Sequence, residues 1–106
     1  MENIIRQVML NHLIYNPNRD PEVYRRPPGK PFHIQALLAG RGKARVTLEV
    51  EGSILCEEEI ELPGTFDCTV TLDAPGLHPA FLTAAADGHL ERRYLPLDVE
   101  ASAWAH

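Results

Sequence analysis

Several residue types that would point to a function are scarce in this sequence. Its 106 residues include two cysteines, one tryptophan and only 7% aromatic residues. Two cysteines are too few for a disulfide framework or for a four-cysteine zinc site. No apolar run is long enough to span a membrane, and polar side chains interrupt residues 4–14 where a secretory signal would be continuously apolar. We therefore expect a cytoplasmic protein that does not bind membranes.

The two cysteines, Cys56 and Cys68, fall on positions where the sequence pattern points inward. In a reducing cytoplasm, buried cysteines behave as small apolar side chains. We expect both to be free thiols. A disulfide between them is the alternative, because a separation of twelve residues alone neither requires nor forbids a bond.

Positive charge is scarce in the second part of the chain. Residues 1–46 carry a net charge of +5 and residues 47–106 carry −10, which gives −5 for the whole. An acidic total argues against nucleic acid as the main partner. The uneven distribution permits head-to-tail self-association or a partner with its own charged patch. A solvated surface that is merely lopsided is the simpler alternative.

The sequence also lacks the spacings of common catalytic and metal sites. Neither serine has the surroundings of a nucleophile elbow. No histidine belongs to a His-x-x-x-His or Glu-x-x-His pair, and the cysteines lack Cys-x-x-Cys spacing. Met9 and His12 join a soft sulfur to an imidazole, which is the one sign of a copper site. We predict no catalytic residues, no metal ligands and no cofactor.

Alternation of apolar and polar residues is what the chain does contain, and it predicts β-strands. Phe66, Cys68, Val70 and Leu72 alternate with polar residues, as expected for a strand with one buried face. The same period occurs in residues 32–39, 44–51, 54–62, 78–86 and 89–99. Gly40-Arg41-Gly42 is the expected turn between the first two of these segments. Glu58 breaks the alternation, which a bulge, a frayed edge strand or a buried functional carboxylate would explain.

Residues 3–15 fit either a strand or an amphipathic helix, and their β-branched residues favour the strand. With this segment the count reaches seven strands. One domain over residues 1–106 is the natural interpretation at this length, with residues 101–106 as a short tail that contains Trp104.

The corner after the strand at residues 66–72 carries a family resemblance. Asp73-x-x-Gly76-x-His78 resembles the corner between strands E and F of the immunoglobulin-like β-sandwich superfamily. In that superfamily a tyrosine stands two residues after the glycine and hydrogen-bonds back across the corner. This chain has His78 in its place, with an extra Pro75, and our hypothesis is that the imidazole makes a similar bond. The resemblance covers roughly residues 31–100 and implies an antiparallel sandwich of about seven strands. It implies a fold and no function.

Residues 16–31 form the one long segment without a strand pattern, because five prolines and a glycine exclude a helix or a central strand. Long irregular segments in compact domains are often functional. This one becomes basic after Glu22 and contains an aromatic residue of the kind enriched in interfaces. We predict a partner-binding site made of Tyr24, Arg25, Arg26 and Lys30. The alternatives are a polyproline-II ligand at Arg25-x-x-Pro28-x-x-Pro31 and a plain crossover loop.

Three hypotheses of function follow. The first is a non-enzymatic protein–protein interaction module or small accessory subunit, which binds a protein partner or itself through residues 16–31 or an exposed edge strand. The second is a β-sandwich that binds a small molecule or a copper-type metal, the latter through Met9, His12 and another histidine. An enzyme that uses the glutamates of the hairpin at residues 44–62 ranks last, because nothing indicates the desolvated cleft that a general acid needs.

Overall fold

The structure is a computed structural model that describes residues 3–18 and 24–101. Strands account for 74% of the described residues and pair antiparallel, so the predicted all-β class is confirmed. No helix in the described ranges is long and apolar enough to cross a membrane. The strands are β1 (Ile5–Leu10), β2 (Leu13–Ile14), β3 (Pro31–Val50), β4 (Ser53–Thr71), β5 (Gly76–Ala86) and β6 (His89–Val99).

The described residues form six strands where seven were predicted, because two pairs of predicted strands are continuous and one predicted strand is divided. Residues 32–39 and 44–51 lie in the two halves of β3, and residues 54–62 and 66–71 of the predicted strand at 66–72 lie in β4. The predicted turn at Gly40-Arg41-Gly42 is wrong: β3 bends there and does not reverse. In the other direction, the predicted strand over residues 3–15 is divided into β1 and β2 by a turn at Asn11 and His12. The outcome is one sheet curled into a half-barrel.

Glycines make the bend of the β3–β4 ribbon sterically accessible. Gly40 and Gly42 have φ angles of 124° and 79°, which side chains of other residues rarely adopt. Opposite them, Gly64 lies so close to the chain that a Cβ atom would stand 2.7 Å from Cγ2 of Ile60 and 2.8 Å from the carbonyl oxygen of Glu61. Any larger residue at Gly64 would therefore force the bend open.

The bend divides the sheet into two halves with different neighbours. Residues 34–38 of β3 pair with β1 on one side and with the end of β4 on the other. Residues 45–50 of β3 pair with β5 and with the beginning of β4, and β5 pairs with β6. β4 is therefore an edge strand along its whole length, with β3 as its only partner among the described strands.

A single apolar core lies between the two halves and draws on both of them. The largest fully buried side chains are Phe32, Phe66, Ile5, Leu10, Ile34, Leu48, Leu82, Leu95, Leu97, Val46 and Val99. They alternate with exposed or half-buried residues along each strand, as the period of two predicts.

The cysteines correct one expectation. Cys56 and Cys68 are joined by a disulfide, and their Cα atoms are 6.4 Å apart. An extended strand of twelve residues would separate them by roughly 40 Å. The distance is short because β4 folds back on itself, which brings its two halves face to face. The predicted free thiols are therefore wrong, and the cytoplasmic location loses the argument from cysteine that supported it.

Two charged side chains of β6, the strand at the border of the sheet away from β4, form hydrogen bonds with the start of β1. The backbone amides of Ile4 and Ile5 both donate to the carboxylate of Glu91, the latter at 3.0 Å. Arg93 donates from Nη2 to the carbonyl oxygen of Ile5 at 3.2 Å. These bonds satisfy backbone groups that would otherwise be left unpaired at the start of β1.

Glu91 is largely enclosed, with 10% of its side chain exposed. Burial alone would raise its pKa, but the hydrogen bonds from the Ile4 and Ile5 amides, together with the bond from His89 and its charge, hold the pKa below the usual value. The ionised form is therefore the one that the fold stabilises.

Glu58 is the matching residue at the other border. It stands opposite Val46, which stands opposite Ala84 and then Glu91, so the two carboxylates end the same row of the sheet. Glu58 is exposed because β4 has no further neighbour among the described strands. Of the three explanations for its position, the edge strand is the one that applies, although β4 stays paired with β3 at Glu58 and is not frayed there.

His78 makes the hydrogen bond that the corner resemblance implied. Its Nε2 lies 2.7 Å from the carbonyl oxygen of Ala74, four residues upstream, and its Nδ1 contacts the carboxylate of Glu51. The ring is buried, so these two contacts satisfy both of its nitrogen atoms. His78 thereby fixes the corner before β5 against the turn between β3 and β4.

Loss of the disulfide is expected to destabilise the fold. Replacement of Cys56 and Cys68 by serine should lower the free energy of unfolding by about 3 kcal/mol, because the bond no longer restricts the unfolded chain. Denaturant unfolding with and without a reductant measures this. The double variant should not respond to reductant, and a wild type that is equally stable in both conditions would contradict the prediction.

Glu91→Gln should destabilise the protein in a way that depends on pH. At about pH 7 the loss should be about 1–2 kcal/mol, because an amide nitrogen then faces the donors of β1. The folded state lowers the pKa of Glu91, so its contribution is complete above the unfolded value of about 4.3 and is lost as the pH falls through the folded value. Unfolding curves at several pH values should show the two proteins converging in acid. Glu58→Gln is the control and should cost little at any pH.

Candidate functional site

A surface cavity of about 390 Å³ lies where the β1–β2 turn, residues 26–31 and the paired ends of β3 and β4 meet. We call it the basic pocket. Its described lining residues are Asn11, His12, Arg26, Lys30, Pro31, His33 and Thr69. None of these residues is acidic, although the protein as a whole carries a net charge of −5.

The turn at one side of the pocket is held by an asparagine. Asn11 and His12 have φ angles of 55° and 69°, a conformation that asparagine tolerates better than most residues. The buried Asn11 side chain accepts a hydrogen bond from the His33 amide at 2.9 Å and donates one to the carbonyl oxygen of Tyr24 at 3.2 Å. One side chain therefore positions three parts of the pocket relative to each other.

Backbone bonds fix the segment that carries the two cations. The Arg26 amide donates to the carbonyl oxygen of Asp98 at 3.2 Å, and the Glu100 amide donates to that of Arg26 at 3.1 Å. The Gly29 amide then donates to the carbonyl oxygen of Leu72 at 3.1 Å. Arg26 and Lys30 consequently enter the pocket from a segment attached at both ends.

The Arg26 guanidinium is half-buried, and burial lowers its pKa from the usual value. The group stays protonated near neutral pH, since an arginine pKa begins so high. Nη1 of Arg26 donates a hydrogen bond to the carbonyl oxygen of Arg25 at 2.9 Å. This acceptor carries no full negative charge. Neither Arg26 nor the exposed Lys30 forms an ion pair with a carboxylate of the described residues.

Two histidines form a second side of the pocket and contact each other. Nε2 of His12 lies 3.0 Å from Nδ1 of His33, and Nε2 of His33 lies 2.7 Å from Oδ1 of Asp67. Asp67 also accepts a bond from Gln35 at 3.2 Å. A carboxylate at Nε2 favours the His33 tautomer that carries its proton there, so Nδ1 is left to accept a hydrogen bond from Nε2 of His12.

The four predicted site residues divide into two pairs. Arg26 and Lys30 line the pocket together. Arg25 instead binds β6, with Nε 2.8 Å from Asp98 and Nη1 3.2 Å from Glu100. Tyr24 is 5% exposed, so it serves the fold and is not the interface anchor that the sequence suggested.

Tyr24 attaches the segment to the end of β2. Its hydroxyl group donates to the carbonyl oxygen of Ile14 at 2.8 Å and accepts from the Asn16 amide at 3.0 Å. Its ring packs beside that of Tyr15, with the centroids 5.2 Å apart. Both polar functions of the phenol are thus satisfied, as burial requires.

Sequence reasoning missed Asn11, His33 and Thr69 as pocket residues, and it considered His12 only as a copper ligand. Asn11-His12 between two apolar segments was a usable turn signal, because asparagine favours such positions. The meeting of His12 with His33 had no local signal, since 21 residues separate them and only the pairing of β1 with β3 joins them.

The copper alternative required a further histidine near His12, and the structure places His33 beside it. His33 is the further histidine that it required beside Met9 and His12. Within the described ranges, however, no group of three or more His, Cys, Asp or Glu side chains is arranged to hold a metal ion. The cations Arg26 and Lys30 would also repel a metal ion in the same pocket.

Comparison with protein-family models and with curated proteins finds no match to this chain. The class of the protein is therefore given by the structure alone: an all-β antiparallel protein with a basic pocket.

Tyr24→Phe tests whether this residue serves the fold. Loss of the hydroxyl leaves the Ile14 carbonyl and the Asn16 amide without a partner, which should lower the free energy of unfolding by about 1–2 kcal/mol. Denaturant titration measures the change. Tyr15→Phe is the control, because the Tyr15 hydroxyl makes no hydrogen bond to the described residues, and an equal loss in both variants would contradict this role.

Proposed function

We propose that the protein is a non-enzymatic binding module and that the basic pocket receives an anionic group, a carboxylate or a phosphate. The observation that carries the proposal is the convergence of Arg26 and Lys30 in a cavity whose described lining has no acidic residue. Two cations in one concave site attract an anion more strongly than either would alone.

The remaining lining residues suit the same ligand. Arg26 offers a planar set of donors that matches a carboxylate or phosphate, and Lys30 adds a point charge on a flexible chain. Thr69 offers a hydroxyl group that can donate to an anion. Because Arg26 is already partly dehydrated, an incoming anion displaces less water from it than from a fully exposed arginine.

The anionic group has two possible sources, a free small molecule or an acidic side chain of a protein partner. The second source would keep the interaction role predicted from residues 16–31, with the contact moved from Tyr24 and Arg25 to Arg26 and Lys30. Both sources rely on the same chemistry, and affinity measurements separate them.

Titration of the intact protein with inorganic phosphate, with citrate and with an aspartate- and glutamate-rich peptide, at constant ionic strength, tests the proposal. Amide NMR shifts at Asn11, Lys30 and Thr69 report occupancy of the pocket, and calorimetry reports affinity. Arg26→Ala and Lys30→Ala should each weaken binding by roughly tenfold. Arg41→Ala is the control, because Arg41 is exposed at the bend of β3 outside the pocket.

A small anion that binds as tightly as the peptide would identify a free ligand. A peptide that binds at least about tenfold more tightly would identify a protein partner. Absence of saturable binding by any of the three probes, or equal weakening by Arg41→Ala, would refute the anion pocket.

For the fold we also infer kinship with the immunoglobulin-like superfamily. The bond from His78 to Ala74 supports it, because it has the place and the direction of the tyrosine bond at the corresponding corner.

A further inference from the structure

Three titratable side chains at the basic pocket form a chain of hydrogen bonds. Oδ1 of Asp67 lies 2.7 Å from Nε2 of His33, and Nδ1 of His33 lies 3.0 Å from Nε2 of His12. The two imidazole rings meet edge to face, with 79° between their planes and 4.5 Å between their centroids. β4, β3 and the turn between β1 and β2 each supply one member of this chain.

The carboxylate determines where the protons lie when both rings are neutral. An ionised Asp67 can only accept, so Nε2 of His33 carries the proton of that ring and Nδ1 does not. Nδ1 of His33 then accepts a hydrogen bond from Nε2 of His12, which therefore carries the proton of the second ring. Nδ1 of His12 is left with a lone pair, and it has no hydrogen-bond partner among the described residues.

This open nitrogen changes its character when the pair takes up a proton. As a lone pair it repels an anion, and as an N–H group it donates to one. The charged groups around it are Arg26 and Lys30 from residues 26–31 and Asp67, which acts through His33. Among these side-chain types only histidine changes its charge between about pH 5 and pH 8. The positive charge of the pocket in this range therefore depends on the two rings.

The arrangement of donors suits a tetrahedral group with two charges. Arg26 and Lys30 supply two positive charges, and Thr69 of β4 supplies a hydroxyl group. A protonated His12 adds an N–H group from the β1–β2 turn. The donors thus come from three elements, which matches the three terminal oxygens of a phosphate better than the two coplanar oxygens of a carboxylate. A phosphomonoester also carries about 1.5 to 2 negative charges near pH 7, so it stabilises an added proton more strongly than a carboxylate does.

We propose that the basic pocket binds the phosphate group of a phosphomonoester and takes up a proton at Nδ1 of His12 as it does so. This inference rests on the proposed function and specifies its ligand. The proton comes from solvent and adds to the lone pair of Nδ1, and no bond of the ligand forms or breaks. Linkage is reciprocal, so a bound dianion favours the protonated ring, and the affinity for a dianion falls as the pH rises.

Sulfate tests the proton linkage, because it keeps both negative charges throughout this pH range and its own titration contributes nothing. Calorimetry of the full chain, in buffers with different enthalpies of ionisation, should show uptake of protons when sulfate binds near neutral pH. The dissociation constant should rise by roughly tenfold between about pH 6 and about pH 8, as expected for the loss of one charge-assisted hydrogen bond.

His12→Asn removes the titrating ring and keeps a donor in its place. Asparagine tolerates the φ angle of 69° at this position, and its amide nitrogen can donate from near the place of Nδ1. The variant should bind sulfate equally at both pH values and without proton uptake. His89→Asn is the matched control, because His89 contacts Glu91 outside the pocket, and it should keep the full pH dependence.

NMR of the imidazole nitrogens tests the arrangement independently of affinity. In the free protein at about pH 8, His12 and His33 should both be neutral with their protons on Nε2. Addition of sulfate near neutral pH should protonate both nitrogens of His12. A His33 ring that carries its proton on Nδ1 in the free protein would contradict the proposed chain.

Methyl phosphate and acetate test the class of ligand, since they carry the same methyl group on different acids. Methyl phosphate should bind at least about tenfold more tightly than acetate at about pH 7. The phosphate can belong to a small molecule or to a phosphorylated side chain. A phosphoserine peptide that binds at least about tenfold more tightly than methyl phosphate supports the second source, and equal affinities support the first.

The outcomes separate this inference from the proposed function. Sulfate binding that weakens in Arg26→Ala and Lys30→Ala but does not change with pH would overturn the inference and leave the anion pocket in place. Equal binding of acetate and methyl phosphate would overturn the assignment to a phosphomonoester. Absence of saturable binding by sulfate and methyl phosphate at every pH would overturn the anion pocket as well.

Discussion

The fold depends on one steric condition, which is that the long β3–β4 ribbon can double back at its middle. Gly64 has no room for a Cβ atom, and Gly40 and Gly42 adopt φ angles that suit glycine. Without this bend the apolar sides of the two halves would face solvent on the same side of an extended sheet. With it they face each other and form the core, because inward positions on both halves then share one interior.

Two of the stabilising contacts described above follow from that bend. The disulfide can form only because the bend brings two distant parts of one strand together. Glu91 reaches the amides of Ile4 and Ile5 only because β1 and β6 belong to halves that the bend places side by side. The acidic residue at the opposite border, Glu58, finds no such partner and stays in solvent. The sheet is therefore closed on one side and open along β4.

Local patterns in the sequence were sufficient for the class of fold and for much of the core. Phe66, Cys68 and Val70 are buried as their alternation predicts, and His78 makes the predicted bond across its corner. The predicted number of strands was wrong because the turn signal from the glycines was ambiguous. Gly40 and Gly42 mark a bend and not a reversal, and single-sequence reasoning cannot separate these cases because both require positive φ angles.

The candidate site was half predictable, for a physical reason. Arg26 and Lys30 were predicted from the composition of a long basic segment, and that signal is local. The roles of Tyr24 and Arg25 were not predictable, because the partners that engage them, Ile14 and Asp98, are set by the tertiary arrangement. The same holds for the cysteine pair, whose connection needs the bend before it can be inferred.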